Sequence, residues 1–392
     1  MNKKTIPIFL AFLCMGFGDV VGPLTSLLQK AYSLSNFLAG FVTFMGFIMF
    51  GLLSIPLGIY QDRKGKKHVL LLGLLTALLG LILPMIGQFS SFALILGGLL
   101  LLGTGATLLQ VSGNPVMRDV SAEGHYSRNL SFGQFIKAIG SLSGSLIPLL
   151  AVNYWGTDWK ILFPIYSVAM FATLAFIYFT PVHEERHEDA QPASLKSCFG
   201  LLFKNKYVLL MVVGIFLYVG AEVCMSARLP NYLQHRFNFD LEKLGLWGTL
   251  FFFTFLMTGR FLGGVILNWI SPKKFLIATS AIASLSIVGL YLAPTQILGF
   301  VMISIIGLTF ANIFPLIFSI TVDELPARSN EISGLMITAI IGGAIVPLIF
   351  GVVADTFTLM AGFIVPLLCI LYVLFVGIRT VATTAAAANS TA

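Results

Sequence analysis

Charged side chains are scarce in this 392-residue chain: they make up 10% of its residues, whereas 57% are apolar. A water-soluble globular domain carries roughly 25% charged residues, so the charges present could not cover a soluble body of this size. The scarcity excludes a soluble enzyme, a disordered chain and a fibrous chain. The class that remains is a polytopic membrane protein.

The chain also lacks the signals of several other functional classes. It contains four cysteines without a pairing pattern, and we expect them to be free thiols. It shows no nucleotide loop, nucleophile constellation or metal-ligand cluster. We therefore predict that the protein is not an enzyme and that it has no cofactor or metal. Membrane orientation explains the net charge of +7 without a nucleic-acid partner.

Long apolar runs fill most of the sequence. A membrane span needs about 20 apolar residues, and backbone exposed to lipid must be helical. The short alternating segments of a membrane barrel are absent. We predict an all-α membrane protein with twelve transmembrane helices. These lie at roughly 5–28, 37–60, 68–88, 91–115, 129–152, 160–181, 207–229, 244–270, 273–293, 296–320, 331–354 and 358–379.

Basic residues are unevenly distributed between the two sides of the predicted bundle. Most of the 23 Lys and Arg residues fall in the loops on the side of the two termini, so the positive-inside rule places both termini in the cytoplasm. We predict a multi-pass protein of the bacterial inner (plasma) membrane. Its predicted parts are an N-terminal six-helix bundle at 1–181, a cytoplasmic linker at 182–206, a C-terminal six-helix bundle at 207–379 and a disordered tail at 380–392.

The two predicted bundles resemble each other weakly. Span 1 carries Phe-Leu followed by Gly16 and Asp19, and span 7 carries Phe-Leu followed by Gly220 and Glu222. Each half therefore has one carboxylate at a similar depth, just past a glycine. Two parallel six-span halves with the substrate site between them is a known transporter architecture.

The loop after span 2 carries the most specific motif. It reads Gly-Ile-Tyr-Gln-Asp-Arg-Lys-Gly-Lys-Lys from Gly58 to Lys67 and matches the loop 2–3 motif of the major facilitator superfamily. Glycines allow a tight turn, and an acid here can cap a helix and pair with an arginine such as Arg118. We predict a structural gate made of Gly58, Asp62, Arg63, Gly65, Arg118 and Arg260.

Four ionisable residues fall within the predicted spans: Asp19, Lys137, Glu222 and Arg260. Each costs about 2.5–3.5 kcal/mol at the membrane centre, so such residues are candidates for function. Asp19 could bind a coupling cation or carry a proton, or form a structural ion pair with Lys137. The two interpretations are compatible, because a lysine partner would hold the carboxylate charged.

Lys137 shares a helix face with Gln134, and an amide beside an ammonium suits a hydroxyl-rich ligand. Glu222 could bind sugar hydroxyls or titrate, or it could be a buried neutral acid. We interpret Arg260 as structural. The coupling candidates are Asp19, Lys137 and Glu222. The candidates for substrate binding are Gln110, Asn114, Gln134, Lys137, Tyr218, Glu222 and Asn312.

Several segments resemble the fucose–galactose–glucose:proton symporter family within that superfamily. They are Phe216–Val223 in span 7, Asn312–Ser319 in span 10, Asn114-Pro115 at the end of span 4, and Ser131-Phe132-Gly133-Gln134 in span 5. The resemblance implies a central cavity that opens alternately to each side, and cation-driven import of a monosaccharide. The family's span 1 acid falls on Asp19.

Two positions depart from the family pattern. Gln110 stands where the family has an acid four residues before Asn-Pro, and Lys137 stands where it has an asparagine. A glutamine cannot titrate, and a fixed cation could replace a mobile one. The departures suggest altered coupling, a facilitated carrier, or a substrate that carries negative charge.

We predict a secondary active transporter that imports a hexose or deoxyhexose, such as glucose, galactose or fucose, by alternating access. We expect coupling to a proton or a sodium ion, with an uncoupled sugar facilitator or an exporter of amphipathic small molecules as alternatives. The expected partners are the small-molecule sugar and the lipid bilayer, and we expect the protein to function as a monomer.

Overall fold

A computed structural model describes residues 6–120, 126–180, 194–240, 246–325 and 328–390. It is all-helical in these ranges and contains twelve helices that are long and apolar enough to cross a membrane, so the prediction of twelve spans is confirmed. We number them span 1 to span 12. We call the end of the bundle at which residue 6 lies the terminal face, and the other end the distal face.

The helices of the first half differ in regularity, and three of its spans contain short non-α segments. They are Ile6–Gly16, 3₁₀ Phe17–Val20 and Val21–Ala31 in span 1, Asn36–Lys64 in span 2, Lys66–Ile86 in span 3, Phe92–Val120 in span 4, Tyr126–Leu150 with a π turn at Ala151–Trp155 in span 5, and 3₁₀ Trp159–Ile161 with Leu162–Phe179 in span 6.

A short helix, Leu195–Lys204, precedes the second half, and we call it the link helix. The second half then consists of Lys206–Phe237 in span 7, Trp247–Ile266 in span 8, Pro272–Leu292 in span 9, Gln296–Phe310 and Ile313–Glu324 in span 10, Ser329–Thr338, 3₁₀ Ala339–Ile341 and Gly342–Thr356 in span 11, and Leu359–Gly362 and Ile364–Ser390 in span 12.

Polar side chains at the loop ends begin several of these helices. The side-chain oxygens of Ser35, Asn205, Thr295 and Thr358 each accept hydrogen bonds from backbone N–H groups of the first turn that follows. Such capping satisfies N–H groups that have no partner within the helix. At the turn between spans 2 and 3, Gly65 has φ +94°, a conformation that glycine adopts without steric cost.

Some spans are longer than the sequence predicted. Span 7 extends to Phe237 instead of ending at 229, and span 11 extends to Thr356 instead of 354. The hydropathy pattern ended each span where polar residues begin, although the helices continue through them. The last helix runs past 379 to Ser390, while the apolar span within it ends at Thr380. The division of the chain at 181 and 206 and the disordered tail stay predictions.

Glycines bring the backbones of two helix pairs into contact. A Cβ on Gly16 of span 1 would overlap the carbonyl oxygen of Lys137 in span 5, and a Cβ on Gly140 would overlap that of Leu13. In the second half, a Cβ on Gly342 of span 11 would overlap the carbonyl oxygen of Phe216 in span 7. Spans 1 and 5 therefore pack as spans 7 and 11 do, as expected for the repeat.

The two halves meet along a seam formed by spans 2 and 11, the distal part of span 1 with span 7, and spans 5 and 8. Span 1 contributes unequally along its length. Its segment Ile6–Gly16 packs mainly on helices of its own half, whereas Val21–Ala31 packs on span 7. The halves are thus joined more closely at the distal face, and the charged residues predicted for the site lie on the terminal side of that closure.

Candidate functional site

Asp19 lies in the 3₁₀ segment that interrupts span 1. The contact between Gly16 and the span 5 backbone brings this break beside span 5. There the Ser141 hydroxyl donates a hydrogen bond to Oδ2 of Asp19 over 2.5 Å. Asp19 itself is half-buried.

Lys137 lies one helical turn before Ser141 on the same side of span 5. Its ammonium donates a hydrogen bond to Oε1 of Gln110 in span 4 over 3.3 Å. Among the described residues, no ion pair within 4.0 Å joins Lys137 to Asp19. The structure therefore gives the acid and the base of the first half separate, neutral partners. Gln134, predicted to share a face with Lys137, is half-buried one turn before it.

Glu222 and Arg260 form the charged part of the site in the second half. Nη2 of Arg260 lies 4.0 Å from Oε1 of Glu222, and their side chains are 33% and 20% exposed. Asp19 and Lys137 lie close enough to Glu222 to act on it electrostatically. The site thus gathers two acids and two bases from four spans, two from each half.

Two other predicted substrate ligands are used in packing. The Tyr218 side chain is 1% exposed, and its hydroxyl donates a hydrogen bond to the carbonyl oxygen of Phe310 over 2.8 Å. The buried amide of Asn312 donates to the carbonyl oxygen of Gly259 over 2.7 Å. Both interactions connect span 10 to a neighbouring span of the second half, and in this conformation neither side chain faces an open space.

The structure describes three of the predicted gate residues: two glycines near the turn between spans 2 and 3, and Arg260. Gly65 occupies the positive-φ turn between spans 2 and 3, whereas a Cβ on Gly58 would have open space around it. Arg260 belongs to the central site through its contact with Glu222. The side chains of four other predicted residues lie outside the described part of the chain: Asp62, Arg63, Arg118 and the substrate candidate Asn114.

A polar cluster that the sequence reasoning missed closes the distal face, and we call it the distal clasp. At its centre lies Arg228 of span 7, which is 0% exposed. Its guanidinium donates to Oε1 of Gln29 over 3.0 Å and to the carbonyl oxygen of Asn36 over 2.7 Å. It also lies 5.3 Å from the ring centre of Phe350.

Asp355 of span 11 completes the distal clasp. Its carboxylate accepts hydrogen bonds from the backbone and side-chain amides of Asn36 over 2.9 and 2.7 Å, and from the backbone N–H of Phe37 over 2.7 Å. Asn36 begins span 2. A carboxylate of the second half therefore caps a helix of the first half, which favours the positive end of that helix.

The sequence pattern placed Arg228 and Asp355 at or beyond the ends of their spans. The signal that could have revealed Arg228 is the apolar sequence Leu-Pro-Asn-Tyr-Leu that follows it, which extends span 7 by two further turns. The partners of both residues lie in the other half of the chain. No local pattern identifies such partners.

The profile of the family described as the Major Facilitator Superfamily matches residues 8–347. The chain belongs to this superfamily, whose members are membrane transporters and not enzymes, and it is an integral multi-pass membrane protein. The resemblance stated from the sequence is thereby confirmed.

Two curated relatives and one solved structure show which members of the superfamily the chain is similar to. The glucose/galactose transporter of Brucella abortus biovar 1 (strain 9-941) is 28% identical over 366 residues, which are 90% of this chain and 87% of that protein. The L-fucose-proton symporter of Escherichia coli (strain K12) is 24% identical over 360 residues, covering 83% and 81%. A crystal structure of the E. coli fucose:proton symporter has a TM-score of 0.68 at 20% identity, over 96% of this chain and 98% of that one.

Proposed function

We propose that this protein imports a monosaccharide across the bacterial inner membrane by alternating access, with transport coupled to a proton or sodium ion through Asp19. The named activities of the two relatives support a sugar as the substrate. The excess of basic residues on the terminal face supports a cytoplasmic location for that face. The protein then works as a monomer with no cofactor other than its coupling ion.

The coupling proposal rests on the hydrogen-bond partner of Asp19. A carboxylate in contact with an ammonium is held in its charged form. The hydrogen-bond partner of Asp19 is instead the neutral hydroxyl of Ser141. A hydroxyl can donate to a carboxylate and can also accept from a carboxylic acid. Asp19 can therefore keep a hydrogen bond in both protonation states.

The polar groups around Asp19 suit a hydroxyl-rich ligand. Gln110, Gln134, Lys137 and Glu222 are half-buried and provide amide, ammonium and carboxylate groups. A few convergent polar groups of this kind orient a small ligand. Tyr218 and Asn312 are already used in packing, so we assign the substrate contacts to these four side chains.

Lys137 favours a second candidate, an uncoupled sugar facilitator. Its fixed positive charge meets only the neutral Gln110 at hydrogen-bonding distance among the described residues. In a facilitator, Lys137 would balance the charge of Asp19 in every state, so that no ion needs to move with the sugar. The two candidates differ in whether the protein can concentrate its substrate.

Uptake of radiolabelled D-glucose, D-galactose and L-fucose into proteoliposomes tests both candidates. We expect at least one sugar to accumulate under an inward proton or sodium gradient and to equilibrate without one. Asp19→Asn should abolish accumulation and preserve counterflow, because the variant still holds the hydrogen bond but cannot release or take up a proton.

Asp158→Asn is the matched control, since Asp158 pairs with Lys160 in an exposed distal loop. This control should accumulate sugar normally. If the sugar only equilibrates across the membrane of wild-type proteoliposomes, whichever gradient is imposed, the symporter proposal is wrong and the uncoupled facilitator is supported. Absence of counterflow for all three sugars would overturn the proposal of a sugar substrate.

A further inference from the structure

A single residue, Asn205, separates the end of the link helix, Leu195–Lys204, from the start of span 7 at Lys206. It packs on the terminal end of span 11 and on span 7. Ser194 and Ser197 form a capping box that fixes its start, and Asn205 caps the first turn of span 7. The link helix therefore lies against the end of the transmembrane bundle, at the depth where the membrane meets water.

Three different faces run along the link helix. One face is buried against the protein through Cys198 and Leu201. A second face, at i, i+4 and i+8, carries Leu195, Phe199 and Phe203, which are 46%, 46% and 74% exposed. The rings of Phe199 and Phe203 stack on each other. No described part of the chain covers this stripe, and apolar area of this size is costly to leave in water.

The third face is basic and adjoins the aromatic stripe. Lys196 and Lys204 lie two turns apart on it, and both are exposed. Together with Arg328 they line an open cleft of about 470 Å³, whose other residues are Ser197, Gly200, Leu201 and Asn205. Arg328 is held there by an ion pair with Glu331. No hydrogen bond or ion pair connects either lysine to another described residue.

We propose that the link helix lies in the surface of the membrane leaflet on the terminal face and that its basic cleft binds the phosphate headgroup of an anionic phospholipid. The aromatic stripe enters the acyl region, as in amphipathic helices that lie in the membrane interface. The two free ammonium groups then stand at headgroup level, where each attracts anionic lipid. The inference depends on membrane insertion alone and is independent of the substrate.

Native mass spectrometry and thermal unfolding of the full chain in nanodiscs test the headgroup site. We compare phosphatidylcholine alone with a mixture containing phosphatidylglycerol. We expect phosphatidylglycerol to be enriched on the protein and to raise its melting temperature. Lys196→Gln with Lys204→Gln should reduce the enrichment by roughly fivefold for each lysine removed.

Lys64→Gln with Lys274→Gln is the matched control, because both lysines are exposed and lie on the same face away from the cleft. Equal loss of enrichment in this control would overturn the site and leave only general attraction to a basic surface. Inorganic phosphate added to the phosphatidylcholine sample should not raise the melting temperature. If it does so as well as phosphatidylglycerol, the cleft binds free phosphate and the lipid proposal is wrong.

A spin label at position 203 tests the placement of the stripe separately. We expect Phe203→Cys to give a label that is accessible to oxygen and shielded from a water-soluble nickel reagent. Lys204→Cys, on the basic face, should show the opposite preference. A label at 203 as accessible to nickel as the one at 204 would show that the stripe faces water and would overturn the interfacial helix, even if the protein remains folded.

Discussion

The two halves of this transporter place their charges in different settings. In the first half, Asp19 and Lys137 are hydrogen-bonded to the neutral side chains Ser141 and Gln110. In the second half, Glu222 faces the charged Arg260. The acids occupy similar positions in the repeat, yet one has a neutral partner and the other a cation. The repeat fixes the depth of a charge, whereas the neighbouring helices fix its chemistry.

The two halves also contribute different groups where they meet at the distal face. The second half supplies the charged groups of the distal clasp, Arg228 and Asp355, and the first half supplies the amides and backbone of Gln29 and Asn36. A charge bound to neutral partners can be released without leaving an opposite charge unpaired. This arrangement suits an interface that must open and close during transport.

The largest effects are expected where the two halves are alike. Gly140→Ala and Gly342→Ala should each cost about 3 kcal/mol or more of stability, because the added Cβ overlaps a backbone carbonyl of the partner helix. Thermal unfolding in detergent measures this. Gly264→Ala is the control, since a Cβ there has open space. If only one of the two variants is destabilised, the glycine contacts of the two halves are not equivalent.

A smaller effect is expected from the distal clasp. Arg228→Gln should shift the equilibrium toward a distally open state by about 2 kcal/mol, or roughly thirtyfold, because hydrogen bonds from a charged group to Gln29 and Asn36 are lost. Spin labels at Ala31→Cys and Gln234→Cys report the distance between the halves. Lys160→Gln, at the distal start of span 6 with a side chain 42% exposed, should leave that distance unchanged. An unaltered distance in Arg228→Gln would contradict a role in closure.

Double-mutant cycles sharpen the comparison of the two charged pairs. Glu222→Gln with Arg260→Gln should give a coupling energy of about 1 kcal/mol. Asp19→Asn with Lys137→Gln should give less than about 0.5 kcal/mol, because the structure has no ion pair between them. Unfolding midpoints at one pH provide both values. Equal coupling energies would contradict the distinction between the halves.

The smallest expected effect concerns the link helix. Its principal contacts are with spans 7 and 11, both in the second half. Burial raises the pKa of the Cys198 thiol, and the nearby Glu331 carboxylate adds to the effect. A raised pKa keeps the thiol protonated at neutral pH, so maleimide labelling should be slow and should increase only at higher pH than for an ordinary thiol.

Lys206→Cys in a Cys198→Ser background provides the comparison for that labelling, because position 206 is exposed. The remaining cysteines, Cys14, Cys224 and Cys369, are buried within spans. Equal labelling rates at positions 198 and 206 at neutral pH would show that the link helix does not stay docked on the bundle.

Much of the fold was predictable because membrane insertion is a local property. Each run of about 20 apolar residues predicts a membrane span without reference to the rest of the chain. The predicted number of spans is confirmed. The breaks in spans 1 and 11 were harder to predict. Glycines at 16, 18 and 22 flank Asp19 and allow span 1 to bend there, but Ala339–Ile341 carries no comparable signal beyond the two glycines that follow it.

The site was only partly predictable for a related reason. A charge within an apolar run is visible in the sequence, so Asp19, Lys137, Glu222 and Arg260 were identified as candidates. The packing roles of Tyr218 and Asn312 were not visible, because the carbonyl groups that they bind belong to other spans. Arg228 and Asp355 lie near the ends of spans, where a charge is inexpensive and therefore gives no signal.

The sequence by itself determined the number of helices, the repeat and the few positions where a charge enters the bilayer, because each depends on residues close together in the chain. The tertiary structure decided which partner each charge takes. Ser141 lies 122 residues from Asp19, and Asn36 lies 192 residues from Arg228. Such pairs form only when glycine contacts and the seam between the halves bring distant helices together. The neutral hydrogen-bond partner that Ser141 provides for Asp19 is therefore a consequence of packing.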